Sequence, residues 1–334
     1  MNSYNLKKKK EELLMKTHKP NAEWLNQFKS QLAENYSKSS VLAYSKDLTH
    51  FMNYLEETSC IKLNTEEIQA YLTHNATLLK PDGSRLFKES SLKRQRASLV
   101  SFYNYLMDQG VVEENPASAI RFELKEESTT MDYLTKEEAI TFLNYIQYFN
   151  ANESDFLKAR DYFLVRLMLN TGLRIQEAKR LELSCFNLET CELTIYDKND
   201  QPRVVPFTVD LKQDYEAYLK QRATITVKKE AYASRVFLTN RGGLISTQIA
   251  NAMLDRHAKQ SCFPKVMNNS ILRHTFAYNL IQATNLPTNR KEREAVIKRL
   301  AYLLGHESHY FTLKVYDYFF TLKEQQSVTD LIAI

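Results

Sequence analysis

The chain has 334 residues, of which 43% are hydrophobic and 25% are charged, and at about 150 residues per domain this length predicts two domains. Only 6 glycines and 7 prolines are present, which argues against a sandwich, propeller or barrel and favours long helices with few tight turns. The formal net charge of +5 is compatible with nucleic-acid binding without establishing it. No apolar run approaches the roughly 18 residues of a membrane span. No signal peptide is visible either, so we expect a cytoplasmic protein without a membrane partner.

The N-terminal part of the chain is predicted to be a short basic arm followed by a helical bundle. Residues 1–18 are polar and lysine-rich, and they are too few to fold alone. Residues 19–118 carry apolar side chains at helical spacing in four segments, for example Val41, Tyr44 and Leu48 in the second segment. We expect the second segment to be capped by the serines at 39 and 40, and the bundle to end near the Asn-Pro pair at 115 and 116.

A polar linker at 119–131 is predicted to separate this bundle from a second domain at 132–334. Thr135 and Glu138 predict a capping box at the start of the first helix of the second domain. The rest of this domain reads as helical, except that two β-rich runs within 192–209 flank a polar tip and predict a hairpin. The predicted fold is therefore mainly α with a small β-hairpin, in two domains.

Two smaller features bear on partners and metals. Lys93, Arg94 and Arg96 precede the apolar stripe of the fourth predicted helix, where they fit contacts with DNA phosphates or, equally, a solvated charged face. The four cysteines have no CxxC spacing and no neighbouring histidine cluster, so we expect free thiols and no metal. They are Cys60, Cys185, Cys191 and Cys262.

Side chains suited to binding a phosphate occur early in the second domain. Gly172 is expected to end an apolar helix, and Arg174 then stands at the start of the next helix. An arginine beside free backbone N–H groups can hold an anion. Glu177 lies on the same helical face, so an ordinary ion pair between it and Arg174 is the alternative interpretation.

Three further residues of this kind come later in the chain. Arg273 lies in the run Leu-Arg-His-Thr-Phe-Ala, His306 follows Leu-Leu-Gly at a predicted helix end, and Tyr316 comes ten residues later. Taken singly, each is more commonly structural than functional. Their order and spacing carry the information.

These motifs resemble the tyrosine recombinase, or phage integrase, family over residues 20–325. In the second domain the order is TGLRxxE, a lysine on the hairpin tip, LRHTFA, LGH and then a tyrosine. In the first domain, residues 40–51, 101–106 and 115–117 match the family pattern as well. Five ordered motifs make the resemblance specific, whereas one alone would be weak. It implies that the first domain is a SAM-like core DNA-binding domain and the second a catalytic domain.

The resemblance implies a role for each matching residue. Tyr316 matches the nucleophile, which attacks a DNA phosphodiester and forms a 3′-phosphotyrosyl link. Arg174 and Arg273 match the pair that grips the scissile phosphate. Two guanidiniums can stabilise the charge of such a transition state without a metal, and the tyrosyl phosphate conserves the bond energy without ATP. We therefore expect no cofactor and no metal.

The remaining matches complete the implied site, with one departure. Lys198 matches the lysine that protonates the 5′-oxygen leaving group, His306 a histidine that hydrogen-bonds the phosphate, and Glu177 an acid that steadies the site. The family usually has histidine three residues before the second arginine, whereas this chain has Ser270. The identity of the proton acceptor is therefore open. A type IB topoisomerase and a DNA-binding relative without catalysis remain alternatives.

The resemblance also implies partners. We expect the protein to bind double-stranded DNA and to act on two DNA sites as a homotetramer, through a Holliday junction. It would catalyse strand exchange either alone or together with a partner recombinase. The short arm favours a simple-site recombinase, either of the Xer type or from a plasmid or transposon. The apolar tail is expected either to pack on its own domain or to dock into a neighbouring protomer. Its residues are Val328, Leu331, Ile332 and Ile334.

Overall fold

A computed structural model of the protein describes residues 20–121, 131–149, 153–285, 287 and 289–332, with side chains described up to residue 324. The chain divides into two compact units, Met1–Glu127 and Ser128–Ile334. The predicted basic arm and most of the predicted linker, together with the side chains of the apolar tail, lie outside the described residues. None of the helices in the described ranges is long and apolar enough to cross a membrane.

In the part of the first unit that the structure describes, four α-helices form a bundle, as the sequence predicts. They are α1 (Asn21–Asn35), α2 (Lys38–Leu55), α3 (Thr65–Thr77) and α4 (Glu89–Asp108). α2 begins slightly earlier than expected, because the Ser37 hydroxyl caps it by accepting the backbone N–H of Ser40. The apolar stripes meet in one core, which includes Trp24, Phe28, Leu48, Phe51, Tyr71, Phe102 and Leu106.

The second unit is mostly helical. Its helices within the described residues are α5 (Lys136–Asn144), α6 (Asp155–Thr171), α7 (Ile175–Ala178), α8 (Val209–Arg222), α9 (Thr247–Gln260), α10 (Asn269–Ala283), α11 (Arg290–Leu304) and α12 (His309–Ile332). The predicted capping box is present, since the Thr135 hydroxyl accepts the Glu138 N–H at 3.2 Å and the Glu138 carboxylate accepts the Thr135 N–H at 2.8 Å. α6 lies in the core of this unit and packs against α8 and α10.

The predicted hairpin is confirmed. Strands β2 (Glu192–Tyr196) and β3 (Pro202–Pro206) pair antiparallel, and the Asp197 carboxylate accepts two backbone N–H groups of the connecting turn. This turn holds Lys198 at the hairpin tip. A short strand β1 (Phe186–Asn187) pairs with the other edge of β2. It was not predicted, because two residues are too few to show an alternating pattern.

Two glycines end helices in the left-handed conformation and bring neighbouring chain segments close together. Gly172 ends α6 at φ 62°, as predicted, and a Cβ added there would collide with the Phe276 ring and the Leu304 side chain. Gly305 ends α11 at φ 63°, and a Cβ there would lie 2.6 Å from Nη1 of Arg203. The close approach at Gly172 places the start of α7 beside α10. The close approach at Gly305 places the segment after α11 beside β3.

Candidate active site

Arg174 and Glu177 form the first part of the site, at the start of α7. The Glu177 carboxylate accepts the backbone N–H of Arg174 at 2.7 Å and its Nη1 at 3.1 Å, so the expected ion pair is present. Nη1 also donates to the carbonyls of Leu304 and Gly305, both at 3.1 Å. The Arg174 side chain nevertheless remains 41% exposed. It is therefore fixed on one side and open to an anion on the other.

Arg273 projects from α10 into the same place and is buried. Its Nη1 donates to the Gly172 carbonyl at 2.5 Å, and its Nη2 donates to the Leu304 carbonyl at 2.7 Å. Burial, and then the positive charge of Arg174, lower the pKa of Arg273 to about 10. The guanidinium therefore stays protonated at neutral pH. Two arginines from different helices thus converge on the end of α11.

His306 lies next to both arginines. Its Nε2 accepts a hydrogen bond from Arg273 Nη2 at 2.9 Å, because a guanidinium can only donate, and its Nδ1–H therefore donates to the Thr312 hydroxyl at 2.7 Å. Burial, followed by the charges of Arg273 and Arg174, lowers the pKa of His306 to about 3. The imidazole is thus neutral near pH 7.

This neutral imidazole is expected to make the fold sensitive to acid. An unfolded histidine has a pKa near ~6.5, whereas that of folded His306 is about 3. As the pH falls from about 7 to about 4, this histidine becomes protonated in the unfolded chain but stays neutral in the folded chain. The free energy of unfolding therefore decreases. We expect His306→Gln to flatten the pH dependence of the unfolding free energy in urea. Exchange of the exposed His309 for Gln serves as control, and equal slopes for wild type and His306→Gln would contradict the prediction.

Tyr316 lies beneath these groups on α12 and is only 2% exposed. Its ring is nearly parallel to that of His306, with 6.3 Å between centroids. Burial raises the pKa of Tyr316, and the neighbouring Arg273 guanidinium offsets part of this rise. The structure thus brings together Arg174, Arg273, His306 and Tyr316, which lie far apart in the sequence.

Lys198 lies at the rim of the site. A cavity of about 750 Å³ is lined by Lys198, Arg174 and His306 among others, so the hairpin tip faces the same space as the arginine. The Lys198 side chain is 76% exposed, and its Nζ lies 3.4 Å from a Glu307 carboxylate oxygen. An exposed ion pair of this kind contributes little and does not fix the lysine in one position.

Two residues of the site were not predicted. Arg203, on β3, is buried, and its Nη1 and Nη2 donate to the two carboxylate oxygens of Glu177 at 2.9 and 2.8 Å. The sequence carried one signal, since Arg203 lies two positions before Val205 in the predicted hairpin and the two side chains therefore share a face. His274 lies edge-on to the Tyr316 ring at 6.0 Å, and burial lowers its pKa. Because adjacent helical residues point in different directions, the sequence predicts that His274 does not face the same phosphate as Arg273, so this contact with Tyr316 was not expected.

Ser270, the departure from the family pattern, is exposed in the first turn of α10. Its backbone N–H donates to the capping Asn268 side chain at 2.8 Å. The serine therefore takes part in the start of the helix that carries Arg273.

The basic side chains of α4 have partners within the first unit. Arg94 makes two hydrogen bonds to the Asp47 carboxylate at 2.8 and 2.9 Å, and Lys93 forms an ion pair with Glu89. Arg96 donates to the carbonyls of residues 120 and 118 at 2.5 and 3.0 Å. These contacts give the two arginines a structural role, and DNA contact by this helix stays a prediction.

One cluster in the described residues has possible metal ligands. Glu153, Asp161 and His257 bring one ligand atom each within 4.8 Å of one another. Arg160 and Arg256 both form ion pairs with Asp161, and Arg256 also pairs with Glu153. Because two guanidiniums already balance the two carboxylates, the cluster is better suited to joining α6 and α9 than to holding a cation.

Comparison with known proteins gives two family matches. The profile of the phage integrase family matches residues 132–318, and that of the phage integrase N-terminal SAM-like domain matches residues 25–110. A protein named tyrosine recombinase XerC from Lacticaseibacillus casei is 28% identical over 283 residues, which cover 83% of this chain and 87% of that relative. A XerC from Anoxybacillus flavithermus is 24% identical, covering 86% and 89%.

Solved structures show the same fold. The XerH site-specific recombinase in a post-cleavage complex with a palindromic difH substrate aligns at a TM-score of 0.68 with 19% identity, covering 92% of this chain and 84% of that one. The Tn1549 transposon integrase in complex with a circular intermediate DNA aligns at 0.68 with 18% identity, covering 87% and 94%.

Proposed function

The chain belongs to the phage integrase family and is a DNA breaking-rejoining enzyme, and we propose that it acts as a site-specific recombinase through a covalent 3′-phosphotyrosyl intermediate. One observation carries this proposal. Arg174, Arg273 and His306 converge next to Tyr316, beside a cavity that the Lys198 tip also lines. This arrangement offers a nucleophile, two positive charges for a phosphate and a proton donor for the leaving group.

In the proposed reaction, the Tyr316 oxygen attacks the scissile phosphorus. A P–O bond to tyrosine forms, the bond to the 5′-oxygen breaks, and Lys198 gives that oxygen a proton. Arg174 and Arg273 hold the non-bridging oxygens, whose negative charge grows in the transition state. Reversal of these steps with the 5′-hydroxyl of another strand rejoins the DNA.

The proton of the Tyr316 hydroxyl must leave during the attack, because a free tyrosine has a pKa near ~10. Ser270 is a poor base at neutral pH, and its exposed place on α10 does not change that. His274 is an imidazole edge-on to the Tyr316 ring, and its lowered pKa keeps it neutral near pH 7 but also makes it a weaker base. We assign the transfer to His274 or to water.

Strand exchange between two DNA sites requires more than one protomer. We propose a homotetramer that joins two duplexes and passes through a Holliday junction, with a partner recombinase as the alternative source of two protomers. The support is the family and the XerC and XerH relatives. The apolar tail from Val328 to Ile334 would dock between protomers in such an assembly.

The role of Lys198 is tested with two forms of one DNA substrate. We expect Lys198→Ala to slow cleavage of a duplex from the DNA flanking its gene by ~10²–10⁴-fold, the range for loss of an acid or base. A 5′-bridging sulfur at the scissile position should restore the rate, since a thiolate leaves without a proton. The readout is single-turnover formation of the covalent protein–DNA adduct.

Lys259 provides a matched control for this experiment. It is 76% exposed, as Lys198 is, and it pairs with a carboxylate on its own helix. Lys259→Ala should cleave both substrates at the wild-type rate. If sulfur does not rescue Lys198→Ala, the lysine is a DNA contact and not the acid.

A further inference from the structure

One buried arginine joins three elements around the site. Arg203 projects inward from β3, and both it and its partner Glu177 on α7 are only 6% exposed. Its Nε donates to the Leu303 carbonyl at the end of α11, at 3.0 Å. A single planar side chain therefore ties the hairpin to α7 and to the last turn of α11.

The groups that Arg203 holds are those that support the phosphate-binding residues. Glu177 accepts both the backbone N–H and the guanidinium of Arg174. The Leu304 carbonyl, next to the one that Arg203 binds, accepts hydrogen bonds from Arg174 and Arg273. Gly305 lies against the Arg203 guanidinium, and His306 follows directly.

The hairpin carries Lys198 five positions before Arg203. The turn between them is internally bonded through Asp197, so it moves with the strands. A second attachment of the tip is exposed, since Arg180 donates to the Asp197 carbonyl at 2.8 Å from the protein surface. Exposed pairs of this kind stabilise little, whereas Arg203 and Glu177 form a buried contact of two hydrogen bonds between the hairpin and α7.

We propose that Arg203 is a positioning residue that fixes the Lys198 tip relative to Arg174 and His306. Its two parallel hydrogen bonds to Glu177 set both distance and orientation, which the single ammonium of a lysine would not do. The proposal rests on the proposed function, in which Lys198 must reach the leaving oxygen of a phosphate held by Arg174. Arg203 itself is buried and is not among the residues that line the cavity beside Arg174 and His306.

The catalytic test compares Arg203→Lys on the oxygen and the 5′-sulfur substrates. A misplaced catalytic group costs up to about 100-fold, so we expect cleavage of the oxygen substrate to fall by as much as that. The sulfur substrate should lose clearly less, because it needs no proton from Lys198. In a Lys198→Ala background, Arg203→Lys should lower oxygen cleavage by less than it does alone, since coupled residues are not additive.

A matched control separates positioning from general stability. Arg166 on α6 donates to Asp214 on α8 at 2.8 Å, a partly buried pair outside the site. Arg166→Lys should affect both substrates equally. Equal losses on both substrates for Arg203→Lys, as for this control, would overturn the proposal.

Hydrogen exchange of the DNA-free protein tests the attachment without catalysis. Arg203→Lys should speed amide exchange in residues 197–201 and 303–306, while Arg166→Lys should leave both segments unchanged.

If sulfur does not rescue Lys198→Ala, Lys198 is not the acid, and the hydrogen-exchange result alone then decides whether Arg203 attaches the hairpin. Unchanged exchange in both segments would refute the attachment. Arg203→Gln, which keeps a polar side chain and loses the fork, replaces Arg203→Lys if that variant does not fold.

Discussion

Replacing Tyr316 by phenylalanine is expected to abolish covalent attachment to DNA and to leave DNA binding nearly unchanged. The substitution removes one hydroxyl and keeps the ring, which packs against His306, His274 and Phe319. Without that oxygen no phosphotyrosyl bond can form. Denaturing gel electrophoresis of the protein on a nicked duplex from the DNA flanking its gene measures the adduct, and gel shift measures binding.

The neighbouring tyrosines are the controls. Tyr310 and Tyr318 belong to the same helix, but both are exposed, whereas Tyr316 alone of the three is buried beside Arg273. Tyr310→Phe and Tyr318→Phe should form adducts normally. An adduct formed by Tyr316→Phe and lost in Tyr318→Phe would show that the nucleophile is misassigned.

Exchange of Arg273 for lysine is expected to lower single-turnover cleavage by at least ~10²-fold, the usual effect of losing one preorganised donor. The charge is kept, but a lysine cannot reproduce the fork that now reaches Gly172, Leu304 and His306 together. Binding of uncleaved DNA should fall much less, since many other contacts hold the duplex.

Arg222 offers a control of the same kind. Its guanidinium, like that of Arg273, donates to backbone carbonyls, here those of residues 233, 235 and 236, at a distance from the site. Arg222→Lys should cleave at a near-normal rate once folding is verified by thermal unfolding. Near-normal cleavage by Arg273→Lys would exclude a direct role of this side chain at the phosphate.

Local patterns of the sequence were enough for the helical bundle, the hairpin and two of the helix ends, although they placed the cap of α2 at residues 39 and 40 and not at Ser37. The Thr135 capping box and the Gly172 helix end depend on residues within a few positions of each other, so spacing alone reveals them. The partners of Arg94 and Arg96 could not be predicted from local spacing. Asp47 lies 47 positions from Arg94, and the carbonyl of residue 120 lies 24 positions from Arg96.

In the site, too, local patterns were informative and long-range contacts were not predictable. Motif order located the residues that converge, but the burial of Tyr316 depends on how α12 packs against α10, which no local pattern encodes. The inward direction of Arg203 follows from the pairing of β3 with β2, where it lies opposite Ile195. A shift of one residue in that pairing would have turned the arginine to solvent.

The close approach at Gly305 limits which genetic variants this protein can tolerate. Every missense change in a glycine codon adds a Cβ, and here that carbon would meet a left-handed backbone and the guanidinium of Arg203 together. Displacement of Arg203 would disturb its hydrogen bonds to the buried Glu177, and the changed backbone at residue 305 would shift the adjoining His306. Gly305 has no side chain that could act in the site, yet substitutions at this position are expected to be tolerated as poorly as substitutions at Arg203 or His306.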